Sequence, residues 1–196
     1  MINVNRVKEI LTAPQKEWTV IDGENEPHLK VFTGYVLPLS LIPAIAAFIG
    51  YGFVGYSFWG SSVTSGILHA IMQWATMVGS IYLIAFVVSI LAESFGAKKD
   101  FDKAFSLVAY SYTPMLLAGI FHIIPVLSIL AFLAGLYGLY LLYLGIQPMM
   151  KAHAEKNASY FLVSLIVAIV ITGILTFILS IIIGAIVFTG AAAYYR

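Results

Sequence analysis

A chain of 196 residues that is 61% hydrophobic and 10% charged cannot dress a water-soluble surface. Average soluble domains are roughly 45–50% apolar and about 25% charged, so this composition predicts an integral membrane protein. The net charge of +1 argues against nucleic acid as a partner, and the absence of cysteine excludes disulfides, thiolate catalysis and cysteine-bound metals.

The first residues, "MINVNRVKEILTAPQKE", lack the apolar core and cleavage site of a signal peptide, so the first span is expected to act as its own insertion signal. "VNRVKEIL" puts Val4, Val7 and Leu11 on one helical face with Arg6, Lys8 and Glu9 elsewhere, which predicts a short helix lying on the membrane surface. Thr12 ends that run, and Pro14 suits the first turn of a second short helix. Trp18 reads as an interface anchor and Asp22-Gly23 as a turn. The acidic Glu24 and Glu26 follow.

A spanning helix needs about 20 mostly apolar residues. The first candidate runs from Val31 to Tyr51, with Pro38 and Pro43 expected to kink it. A neutral connection, "GFVGYSFWGSSVTSG", leads to the second, Ile67 to Ala92. After the charged "ESFGAKKDFDK", Ala104 to Met150 holds no Asp, Glu, Lys or Arg over 47 residues. That length suits two spans, 104–122 and 125–146, divided at "FHIIP" by Pro125, which cannot continue a helix without losing a hydrogen bond. The loop "QPMMKAHAEKNAS" precedes the fifth span, Tyr160 to Ala185.

The expected architecture is therefore all-α: residues 1–30 form a cytoplasmic segment with interfacial helices, and 31–196 form a five-helix transmembrane domain. Lysine and arginine support an odd count. Arg6, Lys8, Lys16, Lys30, Lys98, Lys99, Lys103, Lys151 and Lys156 share one side in the five-span reading, and Arg196 alone takes the other. Positive residues favour the cytoplasm, so the N-terminus is expected there and the C-terminus across the membrane.

Candidate chemistry is sparse. The five spans contain no charged residue, which disfavours ion-coupled pumping but not a passive pore lined by backbone carbonyls. His69 and Gln73 share a face of the second span and suit interhelical hydrogen bonding; His28, His122 and His153 lie in other regions, with no HExxH spacing, so no metal or cofactor is expected. In "AYSYTPMLLAG", Pro114 frees the backbone carbonyl of Tyr110 and predicts a kink, around which a small polar cavity is the functional alternative to plain packing. In "YGLYLLYLG", Tyr137, Tyr140 and Tyr143 form a stripe at a spacing of three, read first as packing and hydrogen bonding. Small residues recur every four along the fifth span (Ala168, Thr172, Thr176, Ser180, Gly184) and in the fourth (Ala131, Gly135; Ala134, Gly138). Such ridges serve packing within one subunit or, as the second reading, a homo-oligomer face.

"PQKEWTVIDGENE", "AYSYTPMLL" and "YGLYLLYLG", in this order and spacing, resemble the Yip-domain family, named for Ypt/Rab-GTPase-interacting proteins, and in particular its short bacterial inner-membrane members of the YohC type. The similarity runs from about Arg6 to the fifth span. It implies five transmembrane helices, a cytoplasmic N-terminus and no known enzymatic activity; eukaryotic relatives are associated with Rab GTPases and with shaping early secretory membranes. It also implies roles for Pro14, Trp18, Glu24 and Glu26 ahead of the first span, and for Tyr110, Pro114, Tyr140 and Gly145 later. The resulting expectation is a non-enzymatic inner-membrane protein that organises the bilayer or a protein partner through Pro14, Trp18, Glu24 and Glu26. The alternative is a small passive transporter or channel with a pathway near Tyr110, Pro114, Tyr137 and Tyr140.

Overall fold

The structure, a computed structural model, describes residues 4–54, 62–124 and 127–194. Most of the connection between the first two spans, Pro125 and Arg196 lie outside the described residues. Two short helices open the chain, α1 (Val4–Thr12) and α2 (Pro14–Glu24). Pro14 occupies the first turn of α2, where its missing N–H costs nothing. Asp22 and Gly23 do not turn the chain, contrary to the expectation from their dipeptide. Both remain helical, and the reversal falls on Asn25, whose φ of 46° is left-handed; asparagine tolerates that region because its short amide bonds locally.

The first span starts earlier than hydropathy alone predicts, at His28, and runs to Val54. It comprises α3 (His28–Val31), a π-helical turn (Phe32–Val36), α4 (Leu37–Ile49) and a second π-helical turn (Gly50–Val54). Pro38 has no N–H for the carbonyl of Gly34 four residues back. Here the helix answers by widening: the N–H of Leu37 reaches back five residues to the carbonyl of Phe32. The second span is α5 (Val63–Leu91), opened by the Ser62 hydroxyl, which accepts a hydrogen bond from the Ser65 N–H at 3.1 Å. A 3-10 turn (Ala92–Phe95) continues it to Gly96, whose φ of +69° stops the helix.

The third span is broken. Helix α6 (Phe101–Ser111) and α7 (Thr113–Ala118), continued by a 3-10 turn (Gly119–Ile123), meet at Tyr112 with a 41° bend. Pro114 is the cause, as expected. The Tyr110 carbonyl that it frees accepts a hydrogen bond from the Thr113 hydroxyl at 2.6 Å, so the break is satisfied internally. Helices α8 (Ser128–Met150) and α9 (Ala154–Tyr194) complete the chain. Among the described residues four helical stretches are long and apolar enough to cross a membrane, and five if the bent pair counts as one span.

Helix α5 packs against α4, α6 and α9, while α8 packs against α2, α6 and α7. The core is continuous from Trp18 and Ile10 through Phe105 and Leu107 to Ile146 and Tyr160. Helix α9 buries Tyr160 and Ser164 near its start. Farther along, Gly173 and Gly184 face open space, as does Gly135 on α8. Between the two helices the small-residue ridges border an apolar groove rather than a closed contact.

Candidate functional site

All the long-range ion pairs among the described residues gather at one end of the bundle. There the N-terminal helices meet the start of α6 and the end of α8. Lys103 and Lys151 both donate to the Asp22 carboxylate, Lys103 at 3.0 Å, and Lys103 also bonds the Asp22 carbonyl. His28 donates its backbone N–H to Asp102 at 2.8 Å, with its ring Nδ1 2.6 Å from the same oxygen. The Lys98 N–H bonds the Met150 carbonyl at 2.8 Å. Burial works against the charge on Asp22, but the bonds from Lys151 and Lys103 outweigh it and hold the carboxyl below its usual range.

Arg6 is the surprise. The helical pattern sets it apart from the apolar face of α1, yet it turns inward and is 7% exposed, while Val4 is 71% exposed. Val7, Ile10 and Leu11 do pack on the core. Two carboxylates explain the inversion: Arg6 donates to buried Glu17 and, through its other terminal nitrogen, to Glu24. Its guanidinium also lies 5.7 Å from the Tyr110 ring centroid. Burial opposes its charge, but Glu24 and Glu17 prevail and raise its proton affinity further.

These groups wall a polar cavity of 390 Å³ between the N-terminal helices, the π-helical turn of the first span and the kinked third span. Its lining includes Arg6, Glu24, Glu26, Lys30, Tyr35 and Tyr110. Lys30 pairs with Glu26 at 2.5 Å across one exposed turn. Tyr35 and Tyr110 stack edge to face at 4.7 Å, and the Tyr35 hydroxyl bonds Thr113 at 2.7 Å. The cavity joins Glu24 and Glu26 to Tyr110 of the third span.

The other sequence-singled residues lie elsewhere. Trp18 does not sit at an interface: it is 0% exposed, packed on Gly145, whose missing Cβ would lie 2.7 Å from the indole and 2.5 Å from Leu107. It presents no surface to a partner in this conformation; a large flat ring and a glycine seat bury each other instead. Pro14 starts α2 and is partly exposed. Pro114 is buried at the kink. Tyr137 donates to the Leu11 carbonyl at 2.7 Å, tying α8 to α1, whereas Tyr140 is half-exposed with its ring 5.8 Å from that of Tyr137. His69 bonds the Ser65 carbonyl within its own helix at 2.8 Å and stacks on Tyr51 at 3.7 Å. On this face Lys103 takes Asp22, while Glu24 and Glu26 take Arg6 and Lys30. Arg6, Glu17, Asp22 and Tyr35 escaped sequence reasoning as site residues; the signal available was the density of charge in the first 30 residues, five acids against four Lys and Arg. Among the described residues no three His, Asp or Glu side chains converge as a metal site would require.

The match to the Yip1 domain covers residues 8–178. Similar curated proteins include the inner membrane protein YohC of Escherichia coli K12 and that of E. coli O6:H1. Each is 25% identical over 128 residues, covering 63% of this chain and 66% of the relative. The match therefore spans a little under two thirds of those relatives' length. No solved structure matches. The Yip1 model runs from within α1 through most of α9 and takes in the collar formed by α2, the kinked third span and the cavity lining from Glu24 onward: this chain belongs to the Yip1 domain family.

Proposed function

We propose that the chain is a non-enzymatic inner-membrane protein that organises a partner, protein or lipid, from its charged end. The observation that carries this is the polar cavity where Glu24 and Glu26 meet Tyr110. A mixed-charge cleft beside the first turns of a membrane span is suited to gripping a polar group at the bilayer surface. The clustering of Lys and Arg at this end supports a cytoplasmic orientation, and the similarity to the inner membrane protein YohC supports the inner membrane. The Yip1 family is not known for enzymes, which supports a binding role. Pro14 and Trp18 act here as builders of the collar, with Glu24 and Glu26 as its contact groups.

The test is a photo-crosslinking side chain at position 26 of the full chain in living cells. A discrete protein or lipid adduct that fades when Glu24 is replaced by Gln supports the reading. Uniform labelling that is indifferent to Glu24 removes it. One observation favours a second reading, a passive pathway: an apolar cavity of 100 Å³ lined by Ser111 and Tyr112 lies on the same kink as the polar one. Solute flux into proteoliposomes carrying the purified protein would distinguish the two, and no flux across a broad panel would eliminate the pathway.

A further inference from the structure

The charge arithmetic of the cavity points to a class of occupant. Arg6 is shared by two carboxylates, Glu17 and Glu24, so this buried triad carries one net negative charge. Glu17 is the more buried partner, with a side chain 10% exposed, while that of Glu24 is 36% exposed and lines the cavity. The surplus charge therefore faces the cavity at Glu24. Lys30 and Glu26 cancel one another, and their exposed, solvent-screened pair is weak, so either partner exchanges readily. With Arg6 on the lining but shared by two acids, the site offers the carboxylates of Glu24 and Glu26 with tyrosine rings beside them and a displaceable lysine at its outer rim.

Depth narrows the choice. The first span has 27 residues, about 40 Å at ~1.5 Å per residue, against a hydrocarbon thickness of about 30 Å. Its opening turns, which bear Lys30, Thr33 and Gly34 on the cavity wall, consequently lie at headgroup level. The cavity is several times the ~30 Å³ share of one water, enough for a small headgroup with its hydration.

We infer that this cavity binds a phosphoethanolamine zwitterion, its primary ammonium on Glu24 and Glu26 and its phosphate outward on Lys30. A primary ammonium brings three donors to a carboxylate wall, and such charge-assisted bonds are about twice as strong as neutral ones. A headgroup with no cation brings no further donor to Glu24, which has only a shared claim on Arg6. The inference rests on the reading that the charged end grips a polar partner, and names that partner's chemistry. The group can come from a phospholipid of the bilayer or from the free zwitterion.

The full chain, delipidated in detergent, would be offered an equimolar mixture of phosphatidylethanolamine and phosphatidylglycerol, and the retained lipid counted by native mass spectrometry. Retention of phosphatidylethanolamine about tenfold above phosphatidylglycerol is expected, with an approximately tenfold loss in Glu24→Gln, the effect of one charge-assisted hydrogen bond. A smaller loss is expected in Lys30→Gln. If soluble phosphoethanolamine displaces the lipid at similar concentration, the free zwitterion is the source; if it does not, the lipid is. Equal retention of both lipids, or an unchanged ratio in Glu24→Gln, overturns the inference even where crosslinking finds a protein partner. Should Glu24→Gln release α1, as amide exchange over residues 4–12 would report, Glu26→Gln decides with the same expected loss, and an unchanged ratio there overturns it.

Discussion

Replacing Arg6 by Met should release α1 from the bundle without unfolding the spans. Arg6 and Glu17 have side chains only 8% and 10% exposed, so losing the cation strands a buried carboxylate. Breaking such a pair costs about 3–5 kcal/mol; the Glu24 arm, being one third exposed, adds little beyond that. The chain has a less costly escape, because Glu17 regains water if α1 swings away. What then resists is the burial of Ile10, worth about 1.5–3 kcal/mol, and the Tyr137 bond to the Leu11 carbonyl, worth about 1 kcal/mol. These sums are comparable, so α1 should sit near the point of undocking. Hydrogen exchange over residues 4–12 should rise by about two orders of magnitude, roughly 3 kcal/mol, while exchange in α5 and α6 stays put. The double variant Arg6→Met/Glu17→Gln should recover most of the protection, since a neutral amide tolerates the site better than a lone carboxylate. Exchange within about threefold of the parent in Arg6→Met, or no recovery in the double variant, would refute the reasoning.

Acidification should weaken the clasp of α2 on α6 and α8. Asp22 is held below its ordinary range, so its contribution is fully present above that range and is lost as pH falls through the lowered folded value; Asp22→Asn should flatten the acid limb of thermal stability by up to about 1.4 kcal/mol per pH unit. Gly145→Ala should destabilise by about 1–3 kcal/mol, because its Cβ would meet Trp18 at 2.7 Å, and the Trp18 emission should shift red. Thr113→Val should cost about 1–3 kcal/mol in thermal unfolding, as it orphans the buried Tyr35 hydroxyl and the Tyr110 carbonyl, whereas Thr113→Ser should stay close to the parent.

Some of this was legible in advance because the cause is local. Pro114 lacks an N–H whatever surrounds it, so the freed carbonyl of Tyr110 and the bend at Tyr112 follow from sequence. Pro14 opening α2 follows likewise. Readings that failed were those where a local signal competed with a distant partner. The turn signal of Asp22-Gly23 lost to helix continuation, with Asp22 held by Lys103 and Lys151 from the far end of the chain. Trp18 has the chemistry of an interface residue, but the glycine 127 positions later, at Gly145, opened a seat for it in the core. Pro38 signals a lost backbone bond from sequence, but the π-turn that precedes it in the first span carries no sequence signature of its own.

Composition and hydropathy by themselves determined that this chain lives in a bilayer, about where its spans lie and which connections carry its cations. The reason is that the cost of burying charge and unsatisfied backbone in hydrocarbon acts on each segment independently. Only the tertiary structure decided which charge met which. Arg6 is separated from Glu17 by 11 positions and Asp22 from Lys151 by 129, and no periodicity records such pairings. Coulombic attraction inside a poorly hydrated site depends on distance in space, and that distance was set when the N-terminal helices closed over the kinked third span.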